Sequence, residues 1–264
     1  MDRLLLSLIA TILMTGTGIA ASPPQFAFHK GDRLTYGITV RGPQAALDGV
    51  VTLAVLDVQA DRTARIRLDA SGTGQLPING KLTPLAEAKS SVVMVVKSNG
   101  TILQFLDSSG RPITIKERRK SMFAPDGLVA DKVAVMRTLF GLQLPDAPVA
   151  AGGKWIGYQQ AESASSTDLQ HWQTQLKAVP VSYRFTGTRK YEGRSCMVIT
   201  YSVPAMSPDG TISSIPTTIF FDAGRGQVVR TTTGSSSSSQ VPMVDTVVLK
   251  SYISAGGSAE KHAP

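Results

Sequence analysis

The sequence predicts a mainly β protein: a curved antiparallel sheet, half-barrel-like, built of two similar halves with one central helix. Three observations predict it. Apolar and polar residues alternate in many short runs, the pattern of strands with one wet and one buried face. One short phrase occurs twice, as Gly31-Asp32-Arg33-Leu34-Thr35-Tyr36 and as Gly153-Lys154-Trp155-Ile156-Gly157-Tyr158. A single helical pattern lies between the two copies.

Each copy reads as a glycine turn, a charged residue and a strand. Residues two apart share one face of a strand. Leu34/Tyr36 and Ile156/Tyr158 are therefore expected to face the core. The echo continues downstream. Ala60 to Leu68 is matched by Tyr191 to Ile199, each a turn followed by a strand. Val92 to Val96, the turn Lys97 to Gly100 and Ile102 to Leu106 are matched by Thr217 to Phe221, Asp222 to Gly226 and Val228 to Thr232. Three matched pieces in one order read as an internal duplication. The expected division is a first β half with the central helix over 22–144 and a second β half over 145–254. The tail 255–264 has no pattern and is expected to be disordered.

The chain opens with a short polar start, an apolar stretch from Leu4 to Met14, and small residues up to Ala21. That order is a secretory signal, expected over 1–21. The apolar stretch turns Gly/Thr-rich before the ~20 residues a spanning helix needs, so no transmembrane span is expected in the mature chain. The chain is thus expected to be exported, periplasmic or secreted. Cys196 is the sole cysteine, so an intramolecular disulfide is excluded and the core must be an ordinary apolar one. The net charge is +8, and removing Asp2 and Arg3 with the signal leaves it unchanged. Such a charge suits anionic lipid or glycan better than nucleic acid as a partner, but its plainer reading is solubility, since net charge keeps protein molecules apart.

Leu34 to Val40 is the first clear strand, after Phe26 and Phe28 in a lead-in. Arg41 to Gly49 reads as a turn-rich connection around Gly42-Pro43. In the next strands Arg65, Arg67 and Asp69 form a wet face opposite Ile66, Leu68 and Ala70. Ser71 to Pro84 is rich in Gly and Pro and reads as a loop. Val92 to Val96 is continuously apolar, as in a strand covered on both faces. Asn99-Gly100 reads as a hairpin turn ahead of its formal glycosylation sequon.

The helix is expected to start at Asp126 as its cap and to end at Gly141. Val129, Val133, Met136 and Phe140 recur at helical spacing and form its apolar face. In the second half, Ser163 to Asp168 and Pro204 to Pro216 read as loops. Met197, Ile199, Tyr201 and Val203 share one strand face, with Cys196 on the other. Ser235 to Ser239 is low-complexity, and Thr246 to Ile253 is the last strand.

Catalytic and metal signatures are absent from the pattern. His29, His171 and His262 stand far apart, without the convergent ligands zinc requires. No Gly-x-Ser-x-Gly elbow occurs. Cys196 reads as a structural or half-exposed thiol. Asp57, Asp61 and Asp69 each read as a turn or ion-paired residue beside Arg62, Arg65 or Arg67, rather than as paired catalytic carboxylates. No cofactor is expected. The basic run Lys116, Arg118, Arg119 and Lys120 is the candidate contact to an anionic surface, against the plainer reading of a solvated turn. Trp155, Trp172, Tyr36 and Tyr158 could line a site, but core packing is their ordinary role.

Alternating strands, one central helix and the link Leu144-Pro145-Asp146-Ala147-Pro148-Val149-Ala150-Ala151-Gly152-Gly153-Lys154-Trp155 resemble a loose group of uncharacterised bacterial exported envelope proteins. Their shape is similar to half-barrel lipoprotein carriers and lipid-binding envelope proteins, although this chain lacks an amino-terminal cysteine. The resemblance implies a curved sheet cradling an acyl chain beneath a helical lid, and hands over no binding residue. The function expected is therefore a non-catalytic envelope protein holding an apolar or amphiphilic ligand, with Val129, Val133, Met136 and Phe140 facing it. The alternatives are a structural or assembly factor with an envelope protein partner, and a hydrolase without a recognisable motif.

Overall fold

The computed structural model of the protein describes residues 22–42, 45–78, 81–106, 109–112, 141–165, 173–206, 212–234, 244–255 and 260–261. It is one large antiparallel sheet. In chain order the strands are β1 (Arg33–Gly42), β2 (Ala45–Val58), β3 (Ala64–Ile78), β4 (Lys81–Val96), β5 (Ile102–Leu106), β6 (Lys154–Ser165), β7 (Gln173–Tyr191), β8 (Arg194–Met206), β9 (Ile212–Asp222), β10 (Gln227–Thr233), β11 (Val244–Ile253) and β12 (Glu260–Lys261). Their spatial order is β5-β4-β3-β2-β1-β11-β10-β9-β8-β7-β6, and β12 adds to β11. The first five strands run out to one edge, the chain crosses to the other edge, and the remaining strands return until β11 pairs with β1.

Alternation explains the core. Tyr36 lies opposite Val51 on β2 and Leu249 on β11, and Leu53 opposite Leu34 and Leu68. Further round, Ile199, Ile219, Thr231 and Val247 follow one another across β8 to β11. All of these are buried and, Thr231 aside, belong to one apolar cluster, which also takes in Met94 and Tyr183. As expected, Leu34 and Tyr36 point inward, and Ile66 and Leu68 lie beneath the wet face of Arg67 and Asp69. Val93 and Met94 are both buried although they point to opposite faces, so that part of β4 is covered twice.

The sheet bends, because one short segment reaches both of its edges. Leu144 donates its backbone N–H to Asn99 in the β4–β5 turn at 2.8 Å, beside one edge. The Trp155 indole on β6, the opposite edge, donates to the Gln143 carbonyl at 2.6 Å, and the Tyr183 hydroxyl donates to Gly141 at 2.5 Å. The lead-in crosses the same end. Phe26 N–H bonds Ser98 O at 2.7 Å and Ala27 N–H bonds Gly226 O at 3.0 Å. Phe26, Leu142 and Leu144 are thereby buried in the core cluster, with Phe28 stacked on Phe26. Gly100 and Gly226, at φ +91° and +60°, are required here, since a Cβ at Gly100 would strike the Leu142 carbonyl and one at Gly226 the backbone of Ala27.

Several expectations are corrected. Ile156 and Tyr158 do not face the core: they are 60% and 61% exposed, while Trp155 packs inward and stacks on Tyr183 at 5.4 Å. The second phrase runs one residue out of phase with the first, and a one-residue shift turns every side chain over. The proposed repeat therefore loses the piece that suggested it. In the stretch read as a loop, Ser71 to Ile78 and Lys81 to Pro84 are the paired ends of β3 and β4, with Gly72 opposite Gly49 and Ala88. Ladder bonds to a neighbour override the weak strand preference of Gly and Pro. In the same way β1 and β2 pair out to Gly42↔Ala45, β6 runs to Ser165, and β8 and β9 pair out to Met206↔Ile212. The tail is not wholly patternless, since Glu260 and Lys261 pair with Tyr252 and Ser251. The expected central helix lies outside the described residues, which contain no helix.

Candidate ligand cleft

The sheet splits between β7 and β8. From Arg184 to Tyr191, β7 pairs with β8; from Arg184 back to Gln173 it pairs only with β6. Beyond Thr200, β8 pairs only with β9, out to Met206. The pair Arg184↔Thr200 is thus the apex of a fork.

Two sequence features produce it. A bulge lies on β7 between Phe185 and Gly187, with Gly187 at φ +137°. Bulges bend a strand and re-aim it. The extra residue, Thr186, bonds the Val198 carbonyl through its hydroxyl at 3.0 Å. The second feature is proline. Phe185 exchanges backbone hydrogen bonds with Gly152 and Gly153 on its β6 side, so Arg184, Ser182 and Pro180 turn their backbones toward β8. On β9, Pro216 O accepts from Gly234 on the β10 side, which leaves Thr217 facing Tyr201 and turns Ser202 and Pro204 into the fork. Pro180 and Pro204 thus stand at facing edges without an N–H to donate, and neither edge can continue the ladder.

The fork holds a cleft of about 490 Å³. Strand alternation sorts its lining. Ser182, Arg184, Thr200, Ser202 and Thr218 are on the outer face; Val179, Val181 and Tyr201 are on the inner face. Pro180 and Pro216 also line the outer side and Thr217 the inner, so a molecule passing between the strands meets mostly hydroxyls and a guanidinium on one side and mostly apolar groups on the other.

A second polar cluster is structural. Asp32, 2% exposed, accepts from the backbone of His29 at 3.2 Å and of Ala255 at 3.3 Å, and from the Tyr252 hydroxyl at 3.3 Å. His29 Nδ1 lies 3.1 Å from the same carboxylate. Asp32 was readable only as a charged turn residue, because two of its partners, Tyr252 and Ala255, come from the far end of the chain.

The remaining candidates are placed as follows. Cys196 is buried rather than half-exposed; burial first, then Asp222, pushes its thiol up to about 11, against the opposing charge of Arg194. Asp69 pairs with Arg67 at 2.9 Å as expected, whereas Asp57 pairs with Lys30 at 3.8 Å rather than with a neighbouring arginine. Asp61 accepts the Thr63 N–H in its turn, which holds its carboxyl below the usual range. Tyr36 is buried, Trp155 packs on the core and Tyr158 is exposed, so these aromatics share no lining; Trp172 is outside the described residues. Val129, Val133, Met136 and Phe140, and Lys116, Arg118, Arg119 and Lys120, also lie outside the described residues. No helix among the described residues is long and apolar enough to cross a membrane, and no three His, Cys, Asp or Glu among them gather as a metal site. The cleft was missed in the sequence; its one signal was Pro180 and Pro204, each at the end of a strand-like run.

No family model matches the chain, and no curated protein matches it. Three solved bacterial structures are similar to it. One, from Bacteroides fragilis, is described as a candidate exported protein with a YmcC-like fold; it is 8% identical, with a TM-score of 0.36, over 88% of this chain and 100% of that one. The hypothetical lipoprotein YmcC from Escherichia coli is 12% identical at a TM-score of 0.31, over 81% and 86%. A candidate lipoprotein from Parabacteroides distasonis is 11% identical at 0.34, over 88% and 99%. Likenesses this loose leave the function to be argued from the chain's own residues.

Proposed function

We propose that the chain is an exported, non-catalytic protein of the bacterial envelope that binds an amphiphilic ligand in the fork between β7 and β8. The single observation behind this is the uneven lining of the cleft, mostly polar on the side of Ser182, Arg184 and Ser202 and mostly apolar, Thr217 aside, on the side of Val179, Val181 and Tyr201. Small-ligand sites pair an apolar wall with a few polar groups that orient the molecule. The signal-like opening of the sequence supports export. The ligand site moves from the expected helix to the fork.

Native mass spectrometry of the mature protein, followed by organic extraction, tests the reading. The expected result is a bound amphiphile at one copy per chain, released by solvent. A mass matching the bare chain, unchanged after incubation with an envelope lipid extract, would overturn it. Retention of an extended peptide instead of lipid would favour an assembly factor that adds a strand to the open edges.

A further inference from the structure

Resting on that reading of the fork, we infer that its ligand is a single-chain anionic amphiphile whose head is held at the apex by Arg184. Arg184 is exposed and forms no ion pair among the described residues. It belongs to the last β7–β8 pair, so its guanidinium stands where the two strands part. No acidic residue is among the described residues that line the cleft. Ser182, Thr200, Ser202 and Thr218 add hydroxyl donors on the same face. A guanidinium beside several hydroxyls suits a carboxylate, sulfate or phosphate head, since charge-assisted hydrogen bonds are the strong ones.

The tail follows from alternation. Val179, Val181 and Tyr201 face inward, so a chain anchored on the outer face runs through the split onto apolar groups. The volume of about 490 Å³ lies toward the lower end of ligand clefts, about 300–1,000 Å³, and favours one chain over two. Prolines at Pro180 and Pro204 keep a strand from filling the gap in its place.

Isothermal titration of the mature protein separates these points, with sodium laurate, dodecyltrimethylammonium and monolaurin, each below its micelle concentration, and sodium acetate. Laurate should bind one to one, about tenfold tighter than monolaurin and the cation, and acetate should give no heat. Arg184→Gln should bring laurate to the monolaurin affinity and leave monolaurin unchanged. Equal affinity for all three amphiphiles would keep the amphiphile site and overturn its anionic character. Acetate binding as tightly as laurate would overturn the tail. A laurate preference untouched by Arg184→Gln would overturn the role of Arg184. No binding of any amphiphile would overturn the fork itself as the site.

Discussion

The side chain of Gln143 hydrogen-bonds both backbone groups of Tyr158. Its Nε2 donates to the Tyr158 carbonyl at 2.6 Å and its Oε1 accepts the Tyr158 N–H at 2.9 Å. One primary amide thus stands in for a neighbouring strand on β6, the outermost strand of the sheet. Exposed strand edges recruit other chains, and this device closes one rung of the edge. Replacing Gln143 with Ala should cost ~1–2 kcal/mol in urea unfolding. Gln143→Glu should cost as much or more, because a carboxylate would face the Tyr158 carbonyl.

Gly100 and Gly193 both have positive φ, +91° and +76°, but only Gly100 is enclosed. Ala at Gly193 meets open space and should cost ~1 kcal/mol, the backbone term alone. Ala at Gly100 must also displace the Leu142 carbonyl and the Phe26 ring, which would detach both segments that cross that end of the sheet. Its cost should be ~3 kcal/mol or more, read as a lower urea midpoint. Equal costs at the two sites would show that the crossing segments contribute little.

Alkaline pH should destabilise the fold in a defined window. Burial raises the Cys196 thiol from its ordinary 9.0 to about 11 and pushes the Tyr36 phenol in the same direction. A raised value in the folded state means that the unfolded chain loses the proton first. The stability carried by the thiol is therefore complete below about 9 and falls as pH climbs toward about 11. Urea midpoints between pH 8 and 11 should decline, and Cys196→Ser should flatten part of that decline. At pH 8 the thiol should react with a disulfide reagent only after unfolding.

Pro180 should act as a guard on the fork. Pro180→Thr restores a backbone donor at an open edge and should promote strand pairing between chains. Sedimentation velocity should show larger species for Pro180→Thr growing with concentration, while the parent protein does not change. Unchanged sedimentation would mean that the bulge alone keeps the fork apart.

The strands were legible wherever one face is wet and the other dry, as in Arg65 to Ala70. They were under-read where backbone pairing, not side-chain pattern, holds them, as from Ser71 to Pro84. The phase of β6 was misread because a strand's two faces are told apart by bulk and partner: Trp155 stacks on Tyr183, whereas Ile156 and Tyr158 were assigned by their match to Leu34 and Tyr36. The fork and the Asp32 cluster depend on register between segments remote in the chain, which periodicity does not encode.

That remoteness bears on how the chain acquires its shape. The middle of the sheet joins β1 to β11, and the Tyr252 hydroxyl meets Asp32 across 220 residues. Closing so long a loop loses chain entropy before any contact repays it, so such pairings form slowly. The central seam has to wait for the last long strand to emerge. β1 therefore lacks its β11 partner until every strand between them has been made.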